Sequence, residues 1–375
     1  MVSIAFTGGG TGGHVYPGLA VAEAAARAAA EAGLPGGECR MFWIGGAKGM
    51  ERGIVEGAGL EFMGVPAGKL RRSLSPANVA DMFRVGAGFF AARRILKRER
   101  PALLFSKGGF VSAPPCAAAA SLGIPVFSHE SDYSPGLATR LNCRFAERVF
   151  IPYEESRRFY GRYAAKTTVS GNPVRAPFFS ASAEKGRAFL GIPPGEKILL
   201  VLGGSQGSQE LNGIVAQCRD TLTAAYTIVH QTGQGAAPRG GYRYHPYQYI
   251  NDAMPDVLAA ADLVLCRSGA GTIWEAAALG RPMVLVPLRG SGTRGDQVEN
   301  ARVFSEAGAA VVMEAGFSKD DVCAAVRAVM GDEARRAAMG QAARGIAAVA
   351  PGGNTAAYLA KEIIARVRGP GNRGS

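Results

Sequence analysis

One pattern opens the chain and occurs again near its middle: a short apolar run followed by a glycine-rich turn. Residues 2–6 lead into the turn 8–13, and residues 198–202 lead into the turn 203–207. Between these points, apolar runs alternate with longer alanine-rich stretches, which is typical of parallel strands connected by helices. The restart predicts an α/β protein with two Rossmann-like domains, each beginning with a strand, a phosphate-type turn and a helix.

The apolar runs and the helical stretches predict the individual elements. We expect buried strands at residues 3–6, 41–44, 103–105, 126–128, 148–151, 197–202, 226–230, 263–266 and 283–286. We expect helices at residues 18–32, 76–98, 112–122, 209–218, 272–279, 297–307 and 354–366. Turn-forming residues are frequent between 166 and 177. The predicted domains are therefore 1–168, completed by a C-terminal helix at 352–367, and 169–351.

Composition limits the class of protein and the kind of partner. The 375 residues include 42 Lys and Arg against 30 Asp and Glu, a net charge of +12 that favours anionic partners such as nucleotide phosphates, nucleic acid or acidic lipid. The six cysteines are scattered without a C-x-x-C pair, which argues against a disulfide scaffold and suits a reducing cytoplasm. The N-terminus does not resemble a signal peptide, and the longest uncharged run, 108–128, contains three prolines. We therefore expect a soluble or peripheral protein.

The first glycine-rich turn is a candidate anion site. It reads Thr-Gly-Gly-Gly-Thr-Gly-Gly-His over residues 7–14, so that backbone N–H groups and a helix N-terminus can face a negative charge. Its G-x-G-x-x-G spacing does not by itself indicate NAD, because the second strand ends in Gly45 and Gly46 instead of an acidic residue for the ribose. A tight turn without a ligand is the alternative.

Two groups of polar residues near the predicted strand ends could transfer protons. His14 ends the first turn, where a helix N-terminus favours the neutral imidazole that can accept a proton; ligand positioning and a structural role are the alternatives. His129, Glu130 and Asp132 follow the predicted strand 126–128, at the edge that lines the binding crevice of such sheets. Helix-cap contacts are the alternative for this second group.

The second half of the chain carries another turn of the anion-binding type, at 203–207 with Ser205 and Gln206. Further on, Thr272 and Glu275 match the capping box S/T-x-x-E. Glu275 could instead accept hydrogen bonds from a ribose diol, and a carboxylate at a helix start suits either role.

An amide pair in the second half could also contact a sugar. Gln297 and Asn300 lie one helical turn apart, where their side chains could bind hydroxyl groups or simply form a solvated face. The sequence has no D-x-D, H-E-x-x-H or Cys/His cluster, so we expect no metal ligands.

A basic strip lies between residues 69 and 100, with nine basic and two acidic side chains. Val79, Met82, Phe83 and Phe90 fall near one face of the predicted helix in this strip. Such a strip can dock on anionic lipid, at about 1 kcal/mol per basic residue near the surface. An ordinary helix that covers the sheet is the alternative.

Taken together, six segments in order resemble one family, the MurG-type N-acetylglucosaminyltransferases of bacterial cell-wall synthesis. The motifs span nearly the whole chain, and six in register are far more specific than any one of them. They are GGGTGGHVYPG from Gly8 to Gly18, GGFVS from Gly108, GNPVR from Gly171, GGSQG from Gly203, CRSGAGTIWE from Cys266, and Asp296-Gln297 with Asn300.

The resemblance implies a GT-B fold, in which two Rossmann-like domains face each other across a cleft. It implies an inverting, metal-independent transfer of N-acetylglucosamine from UDP-GlcNAc to the C4 hydroxyl of the N-acetylmuramoyl sugar of lipid I, undecaprenyl-diphospho-N-acetylmuramoyl-pentapeptide. The product would be lipid II, made by a peripheral enzyme on an anionic membrane surface, at the cytoplasmic side of the cell membrane, without a cofactor and without nucleic acid.

The resemblance also implies roles for individual residues. His14 is the first candidate for the catalytic base, and Glu130 and Asp132 are the reserve candidates. The UDP-GlcNAc site would comprise Thr11, Gly12, Gly13, Asp132, Arg175, Ser205, Ile250, Ala270, Gly271, Thr272, Glu275, Gln297 and Asn300. The acceptor diphosphate would face Gly9, Gly10, Gly108 and Gly109, and the membrane would face Arg71, Arg72, Met82, Phe83, Arg84 and Phe90. Asp132 and Asp296 stand where many family members carry amides.

Three other functions are consistent with parts of the sequence. A GT-B transferase that acts on another lipid, such as diacylglycerol, would share the donor motifs. An NAD-dependent dehydrogenase would rest on the first glycine loop alone. A non-catalytic module that binds membrane or nucleic acid would rest on the basic strip.

Overall fold

The computed structural model describes residues 2–33, 39–68, 76–204, 207–235, 238–290 and 294–369, except for the side chains of 76–80. The chain forms two compact units. The first unit comprises Met1–Pro173 and Val349–Ser375, and the second unit comprises Val174–Ala348. The assignment of an acceptor to one unit and a donor to the other stays a prediction.

The first unit contains a seven-stranded parallel sheet in the order β3-β2-β1-β4-β5-β6-β7. Its strands are β1 (Ser3–Thr7), β2 (Arg40–Gly46), β3 (Glu61–Val65), β4 (Leu103–Ser106), β5 (Val126–His129), β6 (Arg148–Ile151) and β7 (Thr167–Val169). Its helices are α1 (Gly12–Glu31), α2 (Glu51–Gly57), α3 (Pro76–Glu99), α4 (Ala113–Ser121) and α5 (Leu137–Asn142). Short 3₁₀ helices cover Phe110–Ser112 and Glu154–Lys166.

The second unit contains a six-stranded parallel sheet in the order β10-β9-β8-β11-β12-β13. Its strands are β8 (Ile198–Leu202), β9 (Thr227–Gln231), β10 (Tyr244–Tyr247), β11 (Leu263–Cys266), β12 (Met283–Leu285) and β13 (Ala310–Val312). Its helices are α6 (Ala183–Leu190), α7 (Gln209–Thr223), α8 (Met254–Ala260), α9 (Ala270–Ala278), α10 (Asp296–Glu306), α11 (Lys319–Met330) and α12 (Glu333–Ala347), with a 3₁₀ helix at Ala176–Ser180.

The chain then returns to the first unit. After a 3₁₀ turn at Pro351–Gly353, the helix α13 (Thr355–Arg368) packs against α1. The Thr355 hydroxyl donates a hydrogen bond of 2.6 Å to the Ser170 carbonyl, and Arg366 pairs with Glu147 at 2.8 Å. These contacts make α13 part of the first sheet's covering layer.

Each sheet is buried on both faces, which explains the unbroken apolar runs. In β1, Ile4 and Phe6 pack with Leu359 and Ile363 of α13, while Ala5 points to the opposite core. A parallel strand whose two faces are both covered is apolar at most positions, unlike a half-exposed strand with alternating residues. All strands within a sheet are parallel, so their carboxyl ends lie on the same side of that sheet. The loops that follow the strands are therefore grouped on that side.

The two parallel sheets confirm the predicted fold class, and every predicted strand is present within one or two residues at each end. The start of α1 was predicted wrongly, at residue 18 instead of Gly12. Glycines and Pro17 are poor helix formers, but packing against α13 overrides their local preference. The short strands β3, β7, β10 and β13 were missed because they are brief or lie at sheet edges.

Candidate functional site

The first glycine-rich loop joins β1 to α1, as predicted. Because α1 begins at Gly12, with Thr11 as its N-cap, Gly13 and His14 lie within its first turn instead of preceding the helix. The cap makes no side-chain hydrogen bond to the helix backbone. The first turn of α1 is therefore an N-terminus of the kind that favours an anion.

The loop after β4 packs directly on this first loop. Gly109 has φ +78°, and a Cβ there would lie 2.1 Å from the carbonyl oxygen of Gly9, so only glycine fits. The structure thus brings together Gly9, Gly10, Gly108 and Gly109, the four residues predicted for the acceptor diphosphate. Their ligand stays a prediction.

His14 lies where these two loops meet. Its Nδ1 is 2.8 Å from Thr11 Oγ1, and its Cδ2 lies 3.5 Å from the position that a Cβ of Gly108 would take. When Nδ1 carries the proton and donates to Thr11, Nε2 keeps its lone pair and can accept a proton. The imidazole is half-buried, so its direction is fixed by local contacts.

Glu51 is a buried carboxylate beside the first loop that sequence reasoning missed. It accepts hydrogen bonds from the backbone N–H of Gly46 at 2.9 Å and of Gly10 at 3.4 Å. A Cβ at Gly9 would lie 2.6 Å from Glu51 Oε1. One of the predicted phosphate donors, the Gly10 N–H, therefore faces a carboxylate of the protein itself. Nothing in the sequence other than a polar residue at a short helix start signals this.

The loop after β5 is organised around Glu130. Its carboxylate accepts four hydrogen bonds: two from the backbone of Ser131 and Asp132 at 2.8 and 3.2 Å, one from the backbone of Gly136 at 3.0 Å, and one from the Thr139 hydroxyl at 2.6 Å. Burial tends to raise the pKa of this carboxyl, but the hydrogen bonds and nearby Lys107 outweigh it and hold the pKa below its ordinary value. A fully satisfied carboxylate with a lowered pKa is a weak proton acceptor, which favours a role in holding the loop.

His129, next to this loop, is wholly buried. Its Nε2 donates to the Gly171 carbonyl at 2.9 Å. Burial, with the positive charge of Lys107, keeps the imidazole pKa well below its ordinary value. His129 is therefore a neutral structural residue at physiological pH.

In the second unit, the predicted donor residues Arg175 and Glu275 form an ion pair. Arg175 Nε and Nη2 lie 3.2 and 3.1 Å from Glu275 Oε1, and the guanidinium stacks on Phe178 with 4.9 Å to the ring centroid. Burial raises the pKa of the Glu275 carboxyl, while Arg175 opposes that shift. These two hydrogen bonds reach the same carboxylate oxygen, Oε1.

The capping-box interpretation of Glu275 is wrong. The N-cap of α9 is Gly269, not Thr272, and it makes no side-chain cap hydrogen bond. Glu275 therefore lies almost two turns into the helix and caps nothing. Ala270, Gly271 and Thr272 occupy the first turn, whose backbone N–H groups point away from the helix as in other anion sites.

The amide pair of α10 does not form a solvated face. Asn300 is buried and its Nδ2 donates to the Ser268 carbonyl at 3.4 Å. Gln297 is half-buried, and its Oε1 accepts the Leu288 N–H at 3.0 Å. Asn300 thus helps to hold the loop before α9, and a direct contact with a sugar hydroxyl is less supported for it than for Gln297.

Ile250, another predicted donor residue, has a buried side chain. Its backbone N–H donates to Gln231 Oε1 at 2.9 Å. Gln231 therefore fixes the backbone at Ile250.

Three predicted site residues, Ser205, Arg71 and Arg72, lie outside the described residues.

Comparison with known proteins decides the family. Residues 4–151 match the glycosyltransferase family 28 N-terminal domain, and residues 198–357 match the family 28 C-terminal domain. The chain is 45% identical over 336 residues to a Treponema denticola UDP-N-acetylglucosamine–N-acetylmuramyl-(pentapeptide) pyrophosphoryl-undecaprenol N-acetylglucosamine transferase. The matched region covers 84% of each of the two chains. A Shouchella clausii protein of the same name is 41% identical over 317 residues and covers 84% of this chain and 86% of its own.

The chain belongs to the MurG family of N-acetylglucosaminyltransferases.

Solved structures agree with this fold. The crystal structure of Acinetobacter baumannii MurG superposes with a TM-score of 0.72 at 23% identity, covering 97% of this chain and 99% of that one. A kitacinnamycin glycotransferase has the same TM-score at 17% identity. The GT-B fold class is thereby confirmed, and the family models and the relatives confirm the resemblance and the N-acetylglucosaminyltransferase class.

The last group of predicted site residues in this MurG-family chain, those expected to face the membrane, includes the exposed side of α3. Met82, Phe83 and Phe90 are 65%, 77% and 71% exposed, whereas Arg84 pairs with Asp81 at 2.9 Å. Phe83 and Phe90 lie seven residues apart, on one helical stripe that continues to Arg94 and Lys97. Large exposed aromatic rings beside cations are unusual on a surface that meets only water.

The residues that the structure describes contain neither a membrane-spanning helix nor a metal-binding cluster. No helix there is long and apolar enough to cross a bilayer. Within the same ranges, no group of three or more His, Cys, Asp or Glu side chains is arranged to hold a metal ion.

Proposed function

We propose that this chain forms lipid II by moving N-acetylglucosamine from UDP-GlcNAc to the C4 hydroxyl of the N-acetylmuramoyl sugar of lipid I. Its relatives of 41% and 45% identity are named for a transfer between these two kinds of molecule. The observation that carries the chemical proposal is the position of His14, in the first turn of α1 and between the two packed glycine loops.

His14 is the proposed general base. Hydrogen bonding between Nδ1 and Thr11 Oγ1 orients the ring, and Nε2 takes the proton of the acceptor hydroxyl as that oxygen attacks the anomeric carbon. A single displacement converts an α-linked donor into a β-linked product. One base suffices because a diphosphate is a good leaving group and needs little proton donation, unlike the carboxylate pair of glycoside hydrolases.

Charge that builds on the departing diphosphate is proposed to meet backbone N–H groups. The first turn of α9, at Ala270, Gly271 and Thr272, offers such groups together with the positive end of the helix dipole. The turn 203–207 follows β8 in the same way, although Ser205 lies outside the described residues. A preorganised donor of this kind typically contributes about 2.7–4 kcal/mol to the transition state.

Glu275 is the proposed ribose ligand, and Arg175 its partner. Arg175 donates two hydrogen bonds to Oε1 of Glu275, and we assign this carboxylate to the ribose hydroxyls. Gln297 and the backbone at Ile250 complete the proposed donor site. Asp132 is proposed to contact the donor sugar, and Gly9, Gly108 and Gly109 the acceptor diphosphate, whereas the Gly10 N–H donates to Glu51.

The enzyme is proposed to work at the cytoplasmic face of the membrane, held there by the stripe of Phe83, Phe90, Arg94 and Lys97. Aromatic rings would enter the interface while the cations face anionic headgroups. No nucleic-acid partner is proposed.

The decisive experiment measures UDP release from UDP-GlcNAc with and without a soluble lipid I analogue. Release that depends on the analogue, with a disaccharide product by mass spectrometry, is expected. Release with diacylglycerol but not with the lipid I analogue would favour the other lipid transferase. Binding of NAD without binding of UDP would favour a dehydrogenase.

Membrane docking is tested by sedimentation with vesicles that contain phosphatidylglycerol. Phe83→Ser/Phe90→Ser should lower vesicle binding by roughly tenfold or more, given about 1.5–3 kcal/mol for a buried aromatic ring. Turnover with the soluble acceptor analogue should stay unchanged. Phe189→Ser, an exposed aromatic of the second unit, is the matched control. Equal loss in the control would contradict a specific docking stripe.

A further inference from the structure

Glu51 is a carboxylate with no exposed surface, although it begins the short helix α2. Its two oxygens bind two different segments of the chain. Oε1 accepts the Gly46 N–H at 2.9 Å at the end of β2, and Oε2 accepts the Gly10 N–H at 3.4 Å in the first glycine-rich loop. Burying a carboxylate costs free energy unless hydrogen bonds compensate its charge. The carboxylate therefore ties the loop after β1 to the end of β2, the strand that pairs with β1.

Two glycines leave the space that this carboxylate fills. A Cβ at Gly9 would lie 2.6 Å from Glu51 Oε1, and a Cβ at Gly49 would lie 2.3 Å from both carboxylate oxygens. A side chain at either position would displace the carboxylate from its two N–H partners. The close packing thus keeps Glu51 against the first loop, even though its hydrogen bond to Gly10 is the longer of the two.

The part of the loop that Glu51 holds leads directly to His14. Gly10 has φ +89°, and the ring of Phe110 lies 2.6 Å from the position that a Cβ of Gly10 would take. Thr11, the next residue, is the N-cap of α1, and its Oγ1 lies 2.8 Å from His14 Nδ1. Because Gly10 is held by the carboxylate and by the aromatic ring, the hydroxyl that orients the imidazole is held as well.

We propose that Glu51 is a positioning residue for His14. Its carboxylate holds the Gly10 N–H and so sets the Thr11 hydroxyl, which directs His14 Nε2 toward the acceptor hydroxyl. This role rests on the proposed function, in which His14 is the base. Glu51 itself touches no substrate, because it has no exposed surface. A carboxylate suits the task because it offers an acceptor oxygen to both N–H groups at once, which an amide of the same size cannot do.

Glu51→Gln tests this role with almost no change in side-chain volume. A glutamine has one acceptor oxygen, so either the Gly46 N–H or the Gly10 N–H must face the amide NH₂. We expect kcat with the lipid I analogue to fall by roughly tenfold or more, because misplacing a catalytic group is costly, whereas KM for UDP-GlcNAc stays near its wild-type value. Glu56→Gln is the matched control, since Glu56 lies in the same helix, is exposed and pairs with Arg52 at 3.5 Å.

A double-substitution cycle separates positioning from a general structural role. If Glu51 acts through His14, Glu51→Gln/His14→Gln has the same kcat as His14→Gln alone, because a ring that is absent cannot be misplaced. Losses that multiply in the double variant, or an unchanged kcat in Glu51→Gln, would overturn the proposal. Urea unfolding of the same proteins measures the cost in stability. If Glu51→Gln does not fold, Glu51→Asp takes its place, since a side chain one methylene shorter withdraws the carboxylate from the loop.

The orientation of the ring can be measured without any acceptor. The chain has four histidines, and ¹⁵N spectra of their imidazoles at mildly alkaline pH, where an ordinary histidine is neutral, report which nitrogen carries the proton. The His14 signals, identified by their loss in His14→Gln, should show the Nδ1–H form in the wild type and a mixture of both forms in Glu51→Gln. Identical His14 signals in these two proteins would overturn the proposal. If instead the wild-type chain fails to use the lipid I analogue, the proposed function fails, and the spectra still decide whether Glu51 orients the ring.

Discussion

Both units begin with a strand, a glycine turn and a helix, but the charged side chains near these loops are buried in the first unit and partly exposed in the second. In the first unit, Glu51, Lys107 and Glu130 are buried and satisfied by hydrogen bonds within the unit. In the second unit, the main ion pair joins Arg175 to Glu275, with side chains 34% and 22% exposed. Buried charges shape backbone loops, whereas half-exposed charges remain accessible to a ligand. Substitutions in the first unit should therefore affect turnover, and those in the second should affect nucleotide affinity.

The largest expected effect is on turnover, at His14. His14→Gln should lower kcat by about 10²–10⁴-fold, because the acceptor proton loses its base, while UDP affinity stays near that of the wild type. Steady-state kinetics and calorimetry with UDP measure the two quantities separately. Thr11→Val, which removes only the hydroxyl that orients the ring, should cause a smaller loss. Unchanged turnover in His14→Gln would exclude it as the base.

The second largest effect is expected on UDP affinity, at Glu275 in the second unit. Glu275→Ala should weaken UDP binding by roughly 10- to 100-fold, since hydrogen bonds to a charged group contribute about 1.5–3 kcal/mol. The melting temperature should change little, because Glu275 is not a cap. Glu306→Ala, which breaks a surface ion pair with Arg302 at 3.2 Å, is the matched control. Normal UDP affinity in Glu275→Ala would remove Glu275 from the donor site.

The smallest effect is a pH dependence of UDP binding. Burial raises the pKa of Glu275, so on acidification its carboxylate is protonated at a higher pH than an ordinary glutamate. Protonation removes a hydrogen-bond acceptor, and UDP affinity should fall as the pH drops through that raised pKa. Glu275→Gln should lack this component. The nucleotide's own titration is common to both proteins, so the ratio of their dissociation constants between pH 8 and pH 5 isolates Glu275. A constant ratio would contradict the assignment.

The sequence predicted the parts of the fold that depend on local pattern. Buried strands such as β1 and β11 are continuous apolar runs, and the loops after them are visible as glycine clusters. The start of α1 was not predictable, because its glycines and Pro17 are poor helix formers, and the helix is stabilised by packing against α13 and the first sheet. The exposed aromatic residues of α3 were predicted, because the regular spacing of apolar residues in a long helix is the clearest signal of secondary structure in a sequence.

The candidate site was predictable by residue type but not by partner. The motifs identified His14, Arg175 and Glu275, yet nothing in them indicated that Arg175 and Glu275 pair with each other, a hundred residues apart. Lys107 and Glu51 went unnoticed because an isolated charged residue outside a motif leaves no periodic pattern in the sequence. The spacing of Gln297 and Asn300 left a sugar contact and a solvated face both open, and only the packing of α10 shows that Asn300 is buried.

The return of α13 to the first unit has a consequence for how the chain is made. The second unit is one continuous segment, Val174–Ala348, whereas the first needs both Met1–Pro173 and Val349–Ser375. During synthesis on the ribosome, the later segment can close its core while the earlier one still exposes the surface of α1 that Leu359 and Ile363 cover. The unit whose residues are synthesised first is thus the last to complete its fold. Until α13 is synthesised, the apolar surface of α1 that this helix covers remains exposed.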